Sequence, residues 1–128
     1  INDFDIFKKL NENNQKTVFS LTRHEYDFSC PLIKNYQGSH DAFIFISPVD
    51  EKIIKHLKHK QNLWGSENVV LYELNRVKYK LYNPCKQIKI IHEHKIITRK
   101  KNRKRINRGN VNGDGIFSIR SYIVKPYK

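Results

Sequence analysis

Four short stretches of this 128-residue chain carry side chains able to do chemistry. The first, "NDFDIF", sets Asp3 and Asp5 two residues apart. In an extended backbone two such carboxylates lie on one side, roughly 6–7 Å apart at the Cα level. Hard carboxylate oxygens are the ligands Mg2+ or Mn2+ takes when it bridges a diphosphate. A second stretch, "IIHEHK", gives His92 and His94 to one face of an expected strand and Glu93 to the other. Two imidazoles on one side suit Zn2+, Mn2+ and related ions. In "NLWGSEN", Gly65 allows close backbone approach, Ser66 can cap a following helix, and Glu67 in its first turn is favoured by the helix dipole. The same Glu67 carboxylate is well placed to accept a proton from a bound hydroxyl. Finally "QGSHDAFIF" leads Gly38, Ser39, His40 and Asp41 into an apolar strand, where Asp and His often line a cleft.

Each of these signals also has a plain structural explanation. Surface carboxylates two apart are common, exposed histidines sit on edge strands, and an acidic residue at a helix start needs no substrate. Other chemistries are excluded more firmly. No Gly-x-Ser-x-Gly elbow occurs, so a hydrolase lacks its nucleophile. "NVNGDG" is a glycine turn and not a calcium loop, because the twelfth position from Asn110 is Ser121 where a bidentate Glu is needed. Cys30 and Cys85 lack CxxC spacing, which speaks against a zinc knuckle or redox motif; two free, buried thiols are the expectation, with a single disulfide as the alternative.

The elements that must position these residues can be read from periodicity. "TVFSLT" (17–22) and "AFIFIS" (42–47) are short and rich in β-branched and aromatic residues, as strands are. The polar stretch between them, with Pro31 and Gly38, reads as a long loop. "SPVDEKIIKHLKHK" begins with Ser-Pro and acidic residues and then sets Ile53, Ile54 and Leu57 at helical spacing, a short basic surface helix. From Glu67 to Val77 the apolar residues Val70, Leu71, Leu74 and Val77 follow a 3.6-residue period. "YKLYNP" reads as a strand stopped at Asn83-Pro84, and "KQIKIIHEHK" as another with Ile88 and Ile90 on one face. "IFSIRSYIV" is a candidate final strand after the glycine turn. Strands mixed with helices indicate an α/β or α+β fold.

Length allows one core and one domain. The net charge of +13 is unevenly spread: residues 1–50 hold 5 basic and 7 acidic side chains, 51–98 hold 10 and 4, and 99–128 hold 10 and 1. Seven of the ten residues in "RKKNRKRINR" (99–108) are Lys or Arg, which reads as a solvated arm. An enrichment in Lys, Asn, Ile and Tyr follows AT-rich codon usage, so the charge alone is poor grounds for a nucleic-acid partner. The start is acidic and interrupted by charge, unlike a secretory signal, and the longest apolar run (42–46) falls far short of the roughly 18 residues of a membrane span. A cytoplasmic protein, with peripheral membrane association open to it, is the expectation. With Ile1 first and no Met, the chain reads as a fragment or processed product.

The order of the motifs is more specific than any one of them. Asp-x-Asp, "FSLTRHEYD", "GSHDAFIF", "WGSEN" opening a helix, "YKLYNP" and "IHEH" follow one another over residues 2–99. This order resembles the catalytic half of nucleotide-sugar glycosyltransferases of GT-A-like fold, in particular bacterial and viral members reading roughly N-x-D-I, L-T-R, S-x-D-x-W-I-F, G-x-D-N, G-Y-x-V-x-N-P and H-x-H. The resemblance implies an α/β fold with a GT-A-like mixed sheet flanked by helices, the N-terminal nucleotide-binding part missing. It makes 1–98 the C-terminal half of that domain and 99–128 a basic arm with a terminal strand.

The resemblance also assigns roles. Asp3, Asp5 and His92 or His94 would hold Mn2+ or Mg2+ on the donor diphosphate. Glu67 would be the acceptor-side base, with Asp41 lining the acceptor or donor-sugar side, and Ser39, Trp64, Gly65 and Asn68 would contact substrate. Partners would be a nucleotide-sugar donor, a glycan or lipid-linked acceptor, the protein upstream of Ile1, and an anionic surface at 99–108. The sequence departs from the pattern in two places: Glu67 replaces the usual Asp, and Phe43 stands where Trp is common. Alternatives are a non-catalytic basic module binding nucleic acid or anionic surfaces, and a structural or assembly protein that keeps only the fold.

Overall fold

A computed structural model describes residues 4–33, 40–57 and 66–93. Its centre is β1 (Thr17–Leu21), five residues buried from end to end. Val18 and Phe19 supply the β-branched and aromatic bulk that a strand covered on both faces needs. β1 is the middle strand of three. On one side it pairs antiparallel with β3 (Ala42–Phe45), Leu21 opposite Ala42 and Val18 opposite Phe45. On the other it pairs parallel with β4 (Lys80–Tyr82), Phe19 opposite Tyr82. A second, two-residue ladder joins β2 (His24–Glu25) in parallel to β5 (Ile91–His92). The fold is thus mixed α/β, a small mixed sheet with helices, as composition and periodicity indicate.

Alternation along β1 gives the two faces of the sheet different helices. Phe19 and Leu21 pack with Ile6 and Leu10 of a 3-10 helix over Phe4–Asn14, and with Ile88. Val18 packs on the opposite face with Ile53 of α1 (Glu51–Ile54), with Leu74 of α2 (Ser66–Arg76) and with Tyr79. The α2 stripe is deeper than its apolar period suggests. Val69, Leu71 and Leu74 are buried, and so are Ser66, Asn68 and Glu73. Glu73 Oε2 accepts a hydrogen bond from Arg76 Nε at 2.6 Å, one turn on.

Several sequence expectations are corrected. The backbone carrying Asp5 is helical, not extended. Ile6, Phe7 and Leu10 stand at three- and four-residue spacing and pack together against β1, a pattern hidden by the charges between them. The Ser-Pro helix starts later, at Glu51, because the Asp50 carboxylate caps it by accepting from Lys52 N at 2.9 Å. The strand expected across 86–95 is short. A turn closed by Gln87 N and Ile88 N donating to Pro84 O takes up its first half, leaving Ile91–His92 to pair. The long 23–40 loop contains β2, with a bridge from His24 to Leu32. Both thiols are free, but only Cys85 is buried, and Cys30 is partly exposed. The 99–108 strip, the glycine turn and the terminal strand lie outside the described residues.

Candidate functional site

One edge of the sheet gathers polar side chains that the strands themselves do not require. It is the edge where parallel β1 and β4 end and antiparallel β3 begins. In open α/β sheets, ligands bind outside the carboxyl ends of the strands. Here Thr22 directly follows β1 and Asn83 directly follows β4, and both are buried. Asn83 Oδ1 accepts from Thr22 N at 3.2 Å, while its Nδ2 donates to Thr22 Oγ1 at 2.8 Å. This reciprocal pair fixes the amide orientation and ties the two strand ends together. What the sequence shows as a strand stop before Pro84 is therefore also a lock.

On the β3 side Ser20 Oγ and His40 Nδ1 lie 2.9 Å apart, a hydrogen bond in either tautomer of the neutral ring. Both residues are buried. Burial pushes the His40 imidazole down to about 4, against the opposing pull of the Asp41 charge and the hydrogen bonding at Ser20. The ring is neutral at pH 7, and its Nε2 is buried without a hydrogen-bond partner among the described residues. Next along the edge, Asp41 N donates to Leu21 O at 2.9 Å, which anchors the residue where β3 starts. Its carboxylate faces Arg23, with Oδ1 3.7 Å from the guanidinium. Arg23 Nε in turn donates to Glu25 Oε1 at 3.0 Å. Asp41, Arg23 and Glu25 thus form a charged row, partly open to solvent.

The two long helices pack on opposite faces of the sheet, each joined by a short link to the strand it precedes. Asp5 stands in the first turn of the 3-10 helix and Glu67 in the first turn of α2.

Individually the expected site residues differ. Glu67 is half-buried at the start of α2. Asn68 is buried, so its amide faces the protein interior and not the open edge. Asp5 is 74% exposed and paired with exposed Lys8 at 2.6 Å, a contact worth little in water. His92 is half-buried in β5, opposite Glu25. Asp3, Ser39, Trp64, Gly65 and His94 lie outside the described residues. Among the described residues no group of three or more His, Cys, Asp and Glu that could hold a metal ion comes together; Asp5 sits on the N-terminal 3-10 helix and His92 on a strand of the two-stranded sheet. Sequence reading missed Thr22, Arg23, His40 with Ser20, and Asn83 as partners. Their proximity depends on β1 pairing with both neighbours, although "LTR" and "NP" flagged the positions.

Compared with protein-family models, with characterised proteins and with solved structures, the chain finds no match. No helix among the described residues is long and apolar enough to cross a membrane.

Proposed function

We propose that the chain is the catalytic half of a glycosyltransferase of GT-A-like fold, passing a sugar from a nucleotide-sugar donor to a hydroxyl acceptor. The observation that supports this reading is the shared edge: Thr22-Arg23, Asp41 and Asn83 come from separate sequence motifs and meet at the ends of β1 and β4. Charged groups on such an edge, over strands locked at their ends, are a suitable frame for a polar substrate.

In this reading Glu67 takes the proton from the acceptor hydroxyl as that oxygen attacks the anomeric carbon. Its place in the first turn of α2 keeps the carboxylate near the positive end of the helix dipole. Arg23 orients Asp41, whose carboxylate would line the acceptor or donor-sugar side. The Thr22–Asn83 lock and the Ser20–His40 pair keep the strand ends from moving apart. Asp3, Asp5 and one of His92 or His94 would hold Mn2+ or Mg2+. Carboxylate oxygens with imidazole suit either ion, and the Asp5 carboxylate is exposed. Such a cation supplies charge stabilisation to the departing diphosphate. The donor's base and ribose would be held by sequence upstream of Ile1.

The test is sugar transfer by the protein with its upstream residues, in Mn2+, over a panel of nucleotide sugars. Glu67→Gln is expected to lower kcat about 10²- to 10⁴-fold with the fold intact, and Asp3→Ala and Asp5→Ala to remove the metal dependence. Wild-type transfer in all three variants would sink the reading.

A further inference from the structure

Beside the charged row a turn presents aromatic rings to water. Phe28 is fully exposed and Tyr26, two residues before it, is 55% exposed. The turn is well pinned. Asp27 Oδ1 accepts from Ser29 N at 2.8 Å and from Ser29 Oγ at 3.0 Å, and Cys30 N donates to Asp27 O. Across its base Glu25 N donates to Pro31 O at 2.9 Å, and Leu32 bridges to His24. Folding gains nothing from the Phe28 ring, and a turn tip is ordinarily polar.

A single exposed apolar side chain is commonplace; the setting is what distinguishes this one. The turn grows directly out of β2, where Glu25 accepts the hydrogen bond of Arg23, and Arg23 faces Asp41. Two exposed rings on a turn that follows Arg23 and Glu25 in the chain combine the chemistry that receives a pyranose. Its C–H face lies on an aromatic ring while its hydroxyls donate to carboxylates and accept from the guanidinium.

We propose that the Tyr26–Phe28 turn is an aromatic platform for the acceptor sugar, placing a pyranose beside Arg23, Glu25 and Asp41. Naming that sugar the acceptor rests on the transferase reading; the binding itself does not. An anionic bilayer suits the turn less well, because residues 17–33 hold two carboxylates and no lysine, with Arg23 as their one Arg.

The experiment is saturation-transfer NMR on the wild-type protein with the methyl glycosides of glucose, galactose and N-acetylglucosamine, without any donor. At least one glycoside is expected to bind through its C–H face. Phe28→Ala should weaken that binding about two- to tenfold, Phe28→Trp should retain it, and the distant exposed Ile54→Ala should leave it unchanged. Unaltered thermal melting of Phe28→Ala shows that the fold is kept. Three results would overturn the platform: no glycoside bound, equal binding by Phe28→Ala, or Phe28-dependent sedimentation with phosphatidylserine vesicles in place of glycoside binding. Phe28-dependent glycoside binding without transfer from any nucleotide sugar would uphold the platform and discard the transferase.

Discussion

The two faces of β1 are built on opposite principles. On one, Phe19 and Leu21 meet Ile6, Leu10 and Ile88 in an apolar cluster, with buried Thr17 at the start of the strand. On the other, Val18 is packed the same way against Ile53 and Leu74, but Ser20 and Thr22 follow it, equally buried and bonded to His40 and Asn83. A dry face stabilises through area removed from water; a polar one stabilises only while every partner is present. The difference shows where geometry has been preferred to simple burial, and that is the edge bearing Arg23 and Asp41.

This contrast can be broken most strongly on the dry face. Phe19→Ala is expected to cost about 3–5 kcal/mol in denaturant unfolding, by removing a ring that meets both Phe7 and Tyr82. A loss below about 1 kcal/mol would mean that this face is not the main core.

The polar face responds to pH instead. His40 sits at about 4 in the folded chain and near its ordinary 6.5 when unfolded. The unfolded state therefore takes up a proton first. The stability is fully present above about pH 6.5, and is lost progressively as pH falls toward 4, up to about 3 kcal/mol. His40→Gln should flatten that part of the curve, and an unchanged pH profile in this variant would refute the assignment.

Asn83→Ala leaves both the Thr22 amide and its hydroxyl buried without their partner. About 2 kcal/mol of destabilisation is expected, with transfer, if present, falling more than the fold does. Equal losses would reduce Asn83 to a purely structural residue.

The smallest effect is away from both faces. Lys78 closes α2 with φ 68°, its N donating to Asn75 O while Tyr79 N reaches back to Leu74 O. This helix ending favours glycine, so Lys78→Gly should raise stability by about 1 kcal/mol. A lower melting temperature would count against the left-handed cap.

Some of this was legible in the residues. "TVFSL" and "AFIF" carry the bulk and branching that make strands, and the Val70–Val77 period announces α2 whatever surrounds it. The N-terminal helix was not legible, because its apolar residues are separated by charges and gain their order from packing on Phe19 and Leu21. Glu73 and Asn68 were unreadable as interior residues. Their types favour water, and only the close approach of α2 to the sheet buries them. The Thr22–Asn83 lock spans sixty-one residues of sequence, beyond any local pattern.

The sequence by itself determined the strands at 17–21, 42–45 and 80–82, the second helix, the basic balance and the order of motifs, since propensity, period and charge are local properties. Only the tertiary structure decided that β1 takes β3 antiparallel and β4 parallel. That choice brings Thr22, Asp41 and Asn83 to one edge. Pairing and register are decided by which apolar faces can be buried together, and no single segment holds that information.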